Sequence, residues 1–146
     1  TAKFTLSYRV AGAGWSAGRA RGVPHEATEE MDMRFLFTVI DDGQAAAAGD
    51  NASASAAEMA AIDLFNARIQ ASGQLIAAHG LAAPATATVV DARGDAAIVT
   101  AGSFGEGASF AAGFWIVDAD DEHAARTLAH DASRACNRRI EVRGLQ

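Results

Sequence analysis

The chain has 146 residues, half of them apolar, which is enough for one hydrophobic core and too few for two independent ones. Twelve basic and eighteen acidic side chains give a net charge of −6, and this acidic balance argues against a nucleic-acid partner. No apolar run reaches the roughly 18 residues that a membrane helix needs, so we expect a soluble, cytoplasmic protein without a membrane partner. Cys136 is the single cysteine, which excludes an intrachain disulfide and fits a reducing compartment.

The first 32 residues differ in character from the rest. Residues 3–10 alternate polar and apolar side chains, as a half-buried strand does, and residues 11–32 are mostly small or charged, as in a linker. Met31 and Met33 come directly before the first strong apolar run. Two interpretations therefore stay open: an extra strand that pairs with a sheet edge or a neighbouring subunit, or a start codon placed too far upstream. We divide the chain into an N-terminal extension, 1–32, and a folded domain, 33–146.

A capping box predicts where the first helix of this domain begins. Ser55 stands three residues before Glu58, so the serine hydroxyl can accept from the third amide of the helix while the glutamate reaches back. Gly73 is placed to end the helix in a left-handed turn. Spacings of three and four predict one buried stripe on this helix, formed by Met59, Ile62, Phe65 and Ile69.

The other elements follow from alternation and turn signals. Acidic residues at 118, 120 and 121 precede a second helix, and Glu122 and Arg126 are spaced for an i,i+4 ion pair on it. Predicted in chain order are a strand at 33–40, a loop at 41–52, a strand at 74–81, a hairpin with strands at 86–91 and 95–100, a glycine-rich loop at 101–113, and strands at 114–118 and 140–143.

Two helices cannot cover both faces of the resulting sheet. Residues 33–40 and 114–117 carry apolar side chains on both strand faces, so both faces need burial. Since the second face is most simply covered by the same face of another copy, we predict a homodimer packed sheet to sheet around a two-fold axis.

Four stretches of the chain carry a resemblance to a known family. They are LAAPATATV at 81–89, AGSFGE at 101–106, GFWIVD at 113–118 and EVR at 141–143. Over residues 33–143 the chain resembles the YCII-related proteins, and among them the branch marked by an Asp-Gly-Pro-Phe (DGPF) loop. The resemblance implies an α+β fold, a ferredoxin-like α/β plait with an extra hairpin, which forms a dimeric α/β barrel. It implies little about activity: most members are uncharacterised, a few relatives are lyase-like or dehalogenating enzymes on aromatic substrates, and some are encoded with or fused to sigma factors.

The loop departs from the DGPF pattern at two positions. Gly102 and Phe104 match it, whereas Ala101 replaces the aspartate and Ser103 replaces the proline. Glu106 is kept. Any role that the family loop plays through the missing acid is therefore in question for this chain.

His79 and Glu106 are the candidate catalytic residues. His79 lies near the C-terminal end of a mostly apolar strand, where family members commonly have an acid, and an imidazole there can exchange a proton near neutral pH. Glu106 lies in a glycine-flanked loop and would orient the ring if the two side chains meet. The alternatives are a core or interface histidine bound to a backbone carbonyl, and a solvated loop acid.

Four further residues are candidates for binding a substrate. Arg34, on an apolar strand, needs an acceptor and would bind an anionic ligand, or else it lies at the strand end on the rim. Phe104 and Trp115 would wall an apolar pocket suited to an aromatic ligand, unless they only pack in the core. Ser103 matches a nucleophile elbow only loosely, so we expect it at most to hold a polar group of the substrate.

We expect no metal and no cofactor. His123 and His130 are seven residues apart, too far for an i,i+4 metal pair, and the glycines do not have the spacing of a dinucleotide-binding turn. The one basic cluster, in an acidic protein, is expected to balance local carboxylates. It consists of Arg134, Arg138, Arg139 and Arg143.

The leading hypothesis is a cofactor-independent homodimer that binds a small molecule in a cleft between sheet, hairpin and glycine-rich loop. If the protein is catalytic, His79 moves a proton, Glu106 orients it, and Arg34 or Ser103 holds a polar group. The alternative is a non-catalytic regulatory or interaction module that pairs with itself or with a transcription-related partner.

Overall fold

A computed structural model describes residues 33–48, 54–105 and 107–146. The N-terminal extension, with its predicted strand and linker, lies outside the described residues, and so does Glu106. The elements in chain order are β1 (Met33–Asp41), α1 (Gln44–Ala47), α2 (Ala56–Ala71), β2 (Leu75–Gly80), a 3-10 turn (Pro84–Thr86), β3 (Thr88–Asp91), β4 (Ile98–Ala101), β5 (Phe110–Ala119), α3 (Glu122–Cys136) and β6 (Arg139–Gly144).

Four strands form an antiparallel sheet in the order β2-β5-β1-β6, while β3 and β4 form a separate hairpin. Along the chain, the hairpin is inserted between β2 and β5. A mixed α+β class is thereby confirmed, and the strand order is consistent with a ferredoxin-like plait.

One face of the sheet, here called the inner face, packs against α2 and α3. Phe35, Phe37 and Val39 of β1 point to this face and are buried, as the period-2 pattern predicts. Phe65 and Ile69 of α2 are also buried. Each such side chain contributes roughly 1.5–3 kcal/mol when removed from water, so this layer supplies the main stabilisation of the domain.

Both ends of α2 form as predicted. The Ser55 hydroxyl accepts from the Glu58 amide at 3.2 Å, and the Glu58 carboxylate accepts from the Ser55 amide at 2.8 Å. Gly73 follows the helix with φ = +76°, a backbone conformation that glycine adopts without a Cβ penalty. The predicted pair on α3 is also present, with Arg126 donating to Glu122 at 2.9 Å.

Three local features differ from prediction. The strand β5 spans Phe110–Ala119, so it begins before the predicted Phe114 and the glycine-rich loop is shorter than predicted. The hairpin strands are shorter than predicted because the 3-10 turn takes Thr86 and the connection extends to Ala97. The predicted loop after β1 contains α1, whose first turn is held by Asp41, which accepts from the amides of Gly43 and Ala45.

The opposite face of the sheet, here called the outer face, is covered by no helix within the described ranges. Leu36 and Ile40 of β1 and Phe114 and Ile116 of β5 lie on it, half-buried by their neighbours. Among the described residues, no helix is both long and apolar enough to span a membrane.

Candidate functional site

A cavity of about 100 Å³ lies between α2 and the inner face of the sheet, where β2 ends and β5 begins. We call it the α2 cavity. Its walls are mostly apolar, and its buried polar side chains, Asn66 and Arg138, come from α2 and from the segment between α3 and β6. The lining residues used below are Ile62, Asn66, Ala78, His79, Trp115 and Arg138.

Trp115 and Asn66 form a fixed polar pair in the wall of this cavity. The Trp115 indole Nε1–H donates to Asn66 Oδ1 at 2.7 Å, and both residues are buried, at 4% and 2% exposure. Phe65 packs edge-on against the indole, with ring centroids 5.5 Å apart and an angle of 82°. Packing and hydrogen bonding together restrict both side chains to one orientation.

Arg138 forms the centre of a buried ionic network beside the cavity. Its Nε donates to Asp41 Oδ2 at 2.9 Å, its Nη1 donates to the Cys136 carbonyl at 2.6 Å, and Glu58 Oε2 lies 3.7 Å from Nη1. The side chains of Arg138 and Asp41 are only 3% and 1% exposed. Among the described residues, the Arg138 guanidinium and the carboxylates of Asp41 and Glu58 together have a formal charge of −1.

Two groups at this end of the domain have altered acidity. The hydrogen bond from the Ser55 amide, helped by Asn137 and Arg138, holds the pKa of the Glu58 carboxyl below its ordinary value. Burial raises the pKa of the Cys136 thiol. Since the thiolate is the reactive form, Cys136 lines the cavity as an apolar group rather than as a nucleophile.

Of the predicted site residues that the structure describes, two border the α2 cavity. Trp115 forms part of its inner wall. His79 also borders it, but the His79 ring lies 5.8 Å from that of Phe114 and so on the outer-face side of β2. His79 is exposed and pairs with Phe114 across β2 and β5. The cavity therefore lies within one protomer, beneath α2.

The other described candidates lie elsewhere. Arg34 Nε donates to Asp118 Oδ1 at 3.0 Å on the outer face, so its acceptor is a neighbouring strand residue. Ser103 and Phe104 follow the hairpin and are exposed, Phe104 to 90%. None of these three lines the α2 cavity.

Three of the four arginines in the basic cluster balance local carboxylates, as predicted, and Arg134 makes no ion pair with a described residue. Besides the Arg138 pair with Asp41, the guanidinium of Arg139 contacts Asp42 and that of Arg143 contacts Glu141 at 2.6 Å. Most of these pairs are exposed and contribute little to stability. Arg138 is the exception because its pair is buried.

Asn66 and Arg138 are two buried polar lining residues that sequence reasoning did not identify as part of a site. Asn66 carried a usable signal: it lies four residues after Ile62 and three before Ile69, so it interrupts an apolar helical stripe with an amide. Arg138 gave no local signal, since its partner Asp41 is 97 positions away.

Comparison with known proteins agrees with this architecture. A family model described as YCII-related domain matches residues 33–144, which include every described strand and helix. No curated protein matches the chain significantly. The chain therefore belongs to the YCII-related family.

Proposed function

We propose that the protein binds a small organic molecule in the α2 cavity of each protomer of a homodimer, and that His79 exchanges a proton with it at the rim. The observation that carries this proposal is the cavity itself, because apolar walls around a few fixed polar groups are typical of small-molecule sites. Membership of the family assigns no specific activity. The proposed chemistry needs no cofactor.

Filling the α2 cavity should abolish ligand binding. Ala78 lines the cavity beside Trp115, its partner on the neighbouring strand, so Ala78→Leu places a larger side chain in that space. Compounds from a library of small neutral molecules that raise the melting temperature of the wild type should not raise that of Ala78→Leu, because only a ligand of the native state stabilises it. Differential scanning fluorimetry measures both. Ala111→Leu, at an exposed position of β5, is the control and should respond like the wild type. An equal response of Ala78→Leu would place binding elsewhere.

His79 is the group in this proposal that can move a proton. It borders the cavity at the C-terminal end of β2, and its exposed ring lies beside Phe114 on the outer-face side of that strand. The proposal therefore requires that the ligand extend past the end of β2 to exchange a proton with the ring. Glu106 remains the proposed orienting carboxylate, on the sequence argument alone. Arg34 and Ser103 are left out of the proposed site because neither lines the cavity.

Replacing His79 should separate chemistry from binding. For a compound that the screen identifies and the wild type converts, we expect His79→Gln to lower kcat by about 100-fold or more, with a Kd within a few-fold, since general acid–base catalysis contributes 10²–10⁴-fold. Single-turnover kinetics and calorimetry measure the two quantities. His123→Gln, on the exposed side of α3, should change neither. Unchanged turnover in His79→Gln would remove His79 from the mechanism.

The outer face of the sheet supports the proposed dimer. Leu36, Phe114 and Ile116 form an apolar centre on it, and the Arg34–Asp118 ion pair lies toward its edge. An apolar centre with a charged rim is the composition of a protein–protein interface. A second copy that presents its own outer face, related by a two-fold axis, would bury this apolar centre.

A charge in the centre of the outer face should dissociate this dimer. Ile116→Asp places a carboxylate where the two sheets would meet, and we expect sedimentation equilibrium to show a monomer at concentrations where the wild type is a dimer. Leu64→Asp is the control, because Leu64 is 75% exposed on α2, away from the sheet. A wild-type monomer, or an Ile116→Asp dimer as tight as the wild type, would contradict the sheet-to-sheet arrangement.

We also assign the chain to the DGPF-type branch. In support, Gly102 has φ = +97°, a conformation that favours glycine, and its amide donates to the Ala87 carbonyl at 2.7 Å. The loop thus keeps the glycine that its positive φ favours, although alanine and serine replace the aspartate and proline on either side of it.

The hairpin favours a second candidate function. Val90, Ile98 and Val99 are 59–66% exposed, and Phe104, three residues after β4 ends, is 90% exposed, so this part of the chain carries much apolar surface outside the core. An interaction module would use this surface to bind another protein. That hypothesis predicts that Val90→Thr/Val99→Thr loses the partner and keeps ligand binding, whereas Ala78→Leu loses the ligand and keeps the partner.

A further inference from the structure

We propose that the side-chain amide of Asn66 selects the ligand of the α2 cavity by donating a hydrogen bond to it, so that the ligand carries a neutral oxygen acceptor such as a ketone, ester or amide carbonyl. This inference rests on the proposed binding function and adds the ligand class. It depends on the orientation of one buried amide.

The hydrogen bond with Trp115 fixes that orientation. An indole N–H can only donate, so the atom of Asn66 that lies 2.7 Å from it must be the carbonyl oxygen. The amide NH₂ group therefore points away from Trp115. An amide flip would place two donors against each other and lose the bond.

The amide nitrogen of Asn66 faces the cavity. Among the described residues it has no hydrogen-bond acceptor, although Asn66 as a whole is only 2% exposed. Every described side-chain nitrogen or oxygen that is sealed from solvent has a partner. The amide nitrogen must therefore border open space, and the open space that Asn66 lines is the α2 cavity.

The electrostatics of the site favour a neutral acceptor over an anion. Among the described lining residues Arg138 is the one arginine, no lysine lines the cavity, and Arg138 already contacts Asp41 and Glu58. This network has a formal charge of −1, so a ligand carboxylate would meet net repulsion in a partly dehydrated site. A carbonyl oxygen can accept from the Asn66 amide without that cost.

Two isosteric pairs of small probes test the inference. Cyclopentanone and methylenecyclopentane differ by an oxygen in place of a CH₂ group, and cyclobutanecarboxamide and cyclobutanecarboxylate differ by charge. NMR titration of the full chain at pH 8, followed on the Trp115 indole and Asn66 amide signals, gives their dissociation constants. We expect cyclopentanone to bind about 2- to 10-fold more tightly than methylenecyclopentane, the range of one neutral hydrogen bond. The carboxamide should also bind more tightly than the carboxylate.

Variants assign the preference to Asn66. Asn66→Asp keeps an acceptor for the Trp115 indole and removes the donor, so the preference for cyclopentanone should disappear. Asn66→Leu should also remove it, which guards against poor folding of one variant. Gln70→Glu makes the same change of charge at an exposed position of α2 and should keep the preference.

The outcomes separate this inference from the function on which it rests. If both ring probes bind equally to the wild type, or if Asn66→Asp keeps the preference, the role of Asn66 is wrong and the cavity remains a binding site. If the carboxylate binds more tightly than the carboxamide, the neutral ligand class is wrong. If no probe shifts the Trp115 and Asn66 signals at millimolar concentration, the proposed binding function fails as well.

Discussion

Asp41→Asn should lower the free energy of unfolding by about 3–5 kcal/mol, as removal of one partner from a buried ion pair does. Asp41 is 1% exposed and binds a guanidinium that is 3% exposed, so the variant leaves Arg138 buried against a neutral amide. Glu58, at 3.7 Å, is too far to replace the lost bond. Since whole domains are stable by only about 5–15 kcal/mol, this single change should move the urea midpoint far toward zero.

The neighbouring residue provides the matched control for Asp41→Asn. Asp42 pairs with Arg139 on the surface, and Asp42→Asn should leave the urea midpoint almost unchanged because water screens the pair. The double variant Asp41→Asn/Arg138→Met should recover much of the loss, since it removes the buried guanidinium together with the carboxylate that binds it. Equal effects of Asp41→Asn and Asp42→Asn would show that burial does not strengthen the Arg138 pair.

Local rules were enough to predict the elements that the site is built on. The capping box at Ser55 and Glu58, the left-handed Gly73 and the alternation of β1 each act within a few residues of the chain. Their free energies do not depend on the rest of the fold. The predicted positions of α2 and β1 are accordingly confirmed to within a few residues.

The composition of the cavity could not be predicted in the same way. Asn66 meets Trp115 across 49 positions, and Asp41 meets Arg138 across 97. Both contacts depend on the register between strands and on how α2 crosses the sheet, which no local pattern encodes. For the same reason, the sequence did not predict the acceptor of Arg34. Asp118 lies beside Arg34 only because β1 and β5 pair in register.

The charge of the site also arises from the fold. Asp41 caps α1, Glu58 caps α2 and Arg138 follows α3, so each has a local role. Folding brings the three together beside one cavity, where the guanidinium is neutralised before any ligand arrives. An arginine suggests an anion site when only the sequence is considered. In the fold, Arg138 instead stabilises the structure through its carboxylate partners, and the proposed group that binds the ligand is Asn66.

Gly113→Ala should destabilise the domain by about 1–3 kcal/mol, because β2 and β5 approach each other too closely there for a side chain. A Cβ at Gly113 would lie 2.8 Å from the His79 carbonyl oxygen and 3.3 Å from the Gly80 Cα. Both are backbone atoms, so no rotamer change relieves the contact and β2 must move away from β5. Urea denaturation measures the stability, and hydrogen exchange should show faster opening of the β2 amides.

Gly105→Ala is the control for this substitution, since a Cβ there meets no described atom within 4 Å. We expect its urea midpoint to match that of the wild type. Because His79 and Gly80 both line the α2 cavity, the movement of β2 in Gly113→Ala should also weaken the binding of cyclopentanone. Loss of stability with unchanged binding would mean that the position of β2 does not define the cavity rim, and equal stability of the two variants would mean that the strands can separate at no cost.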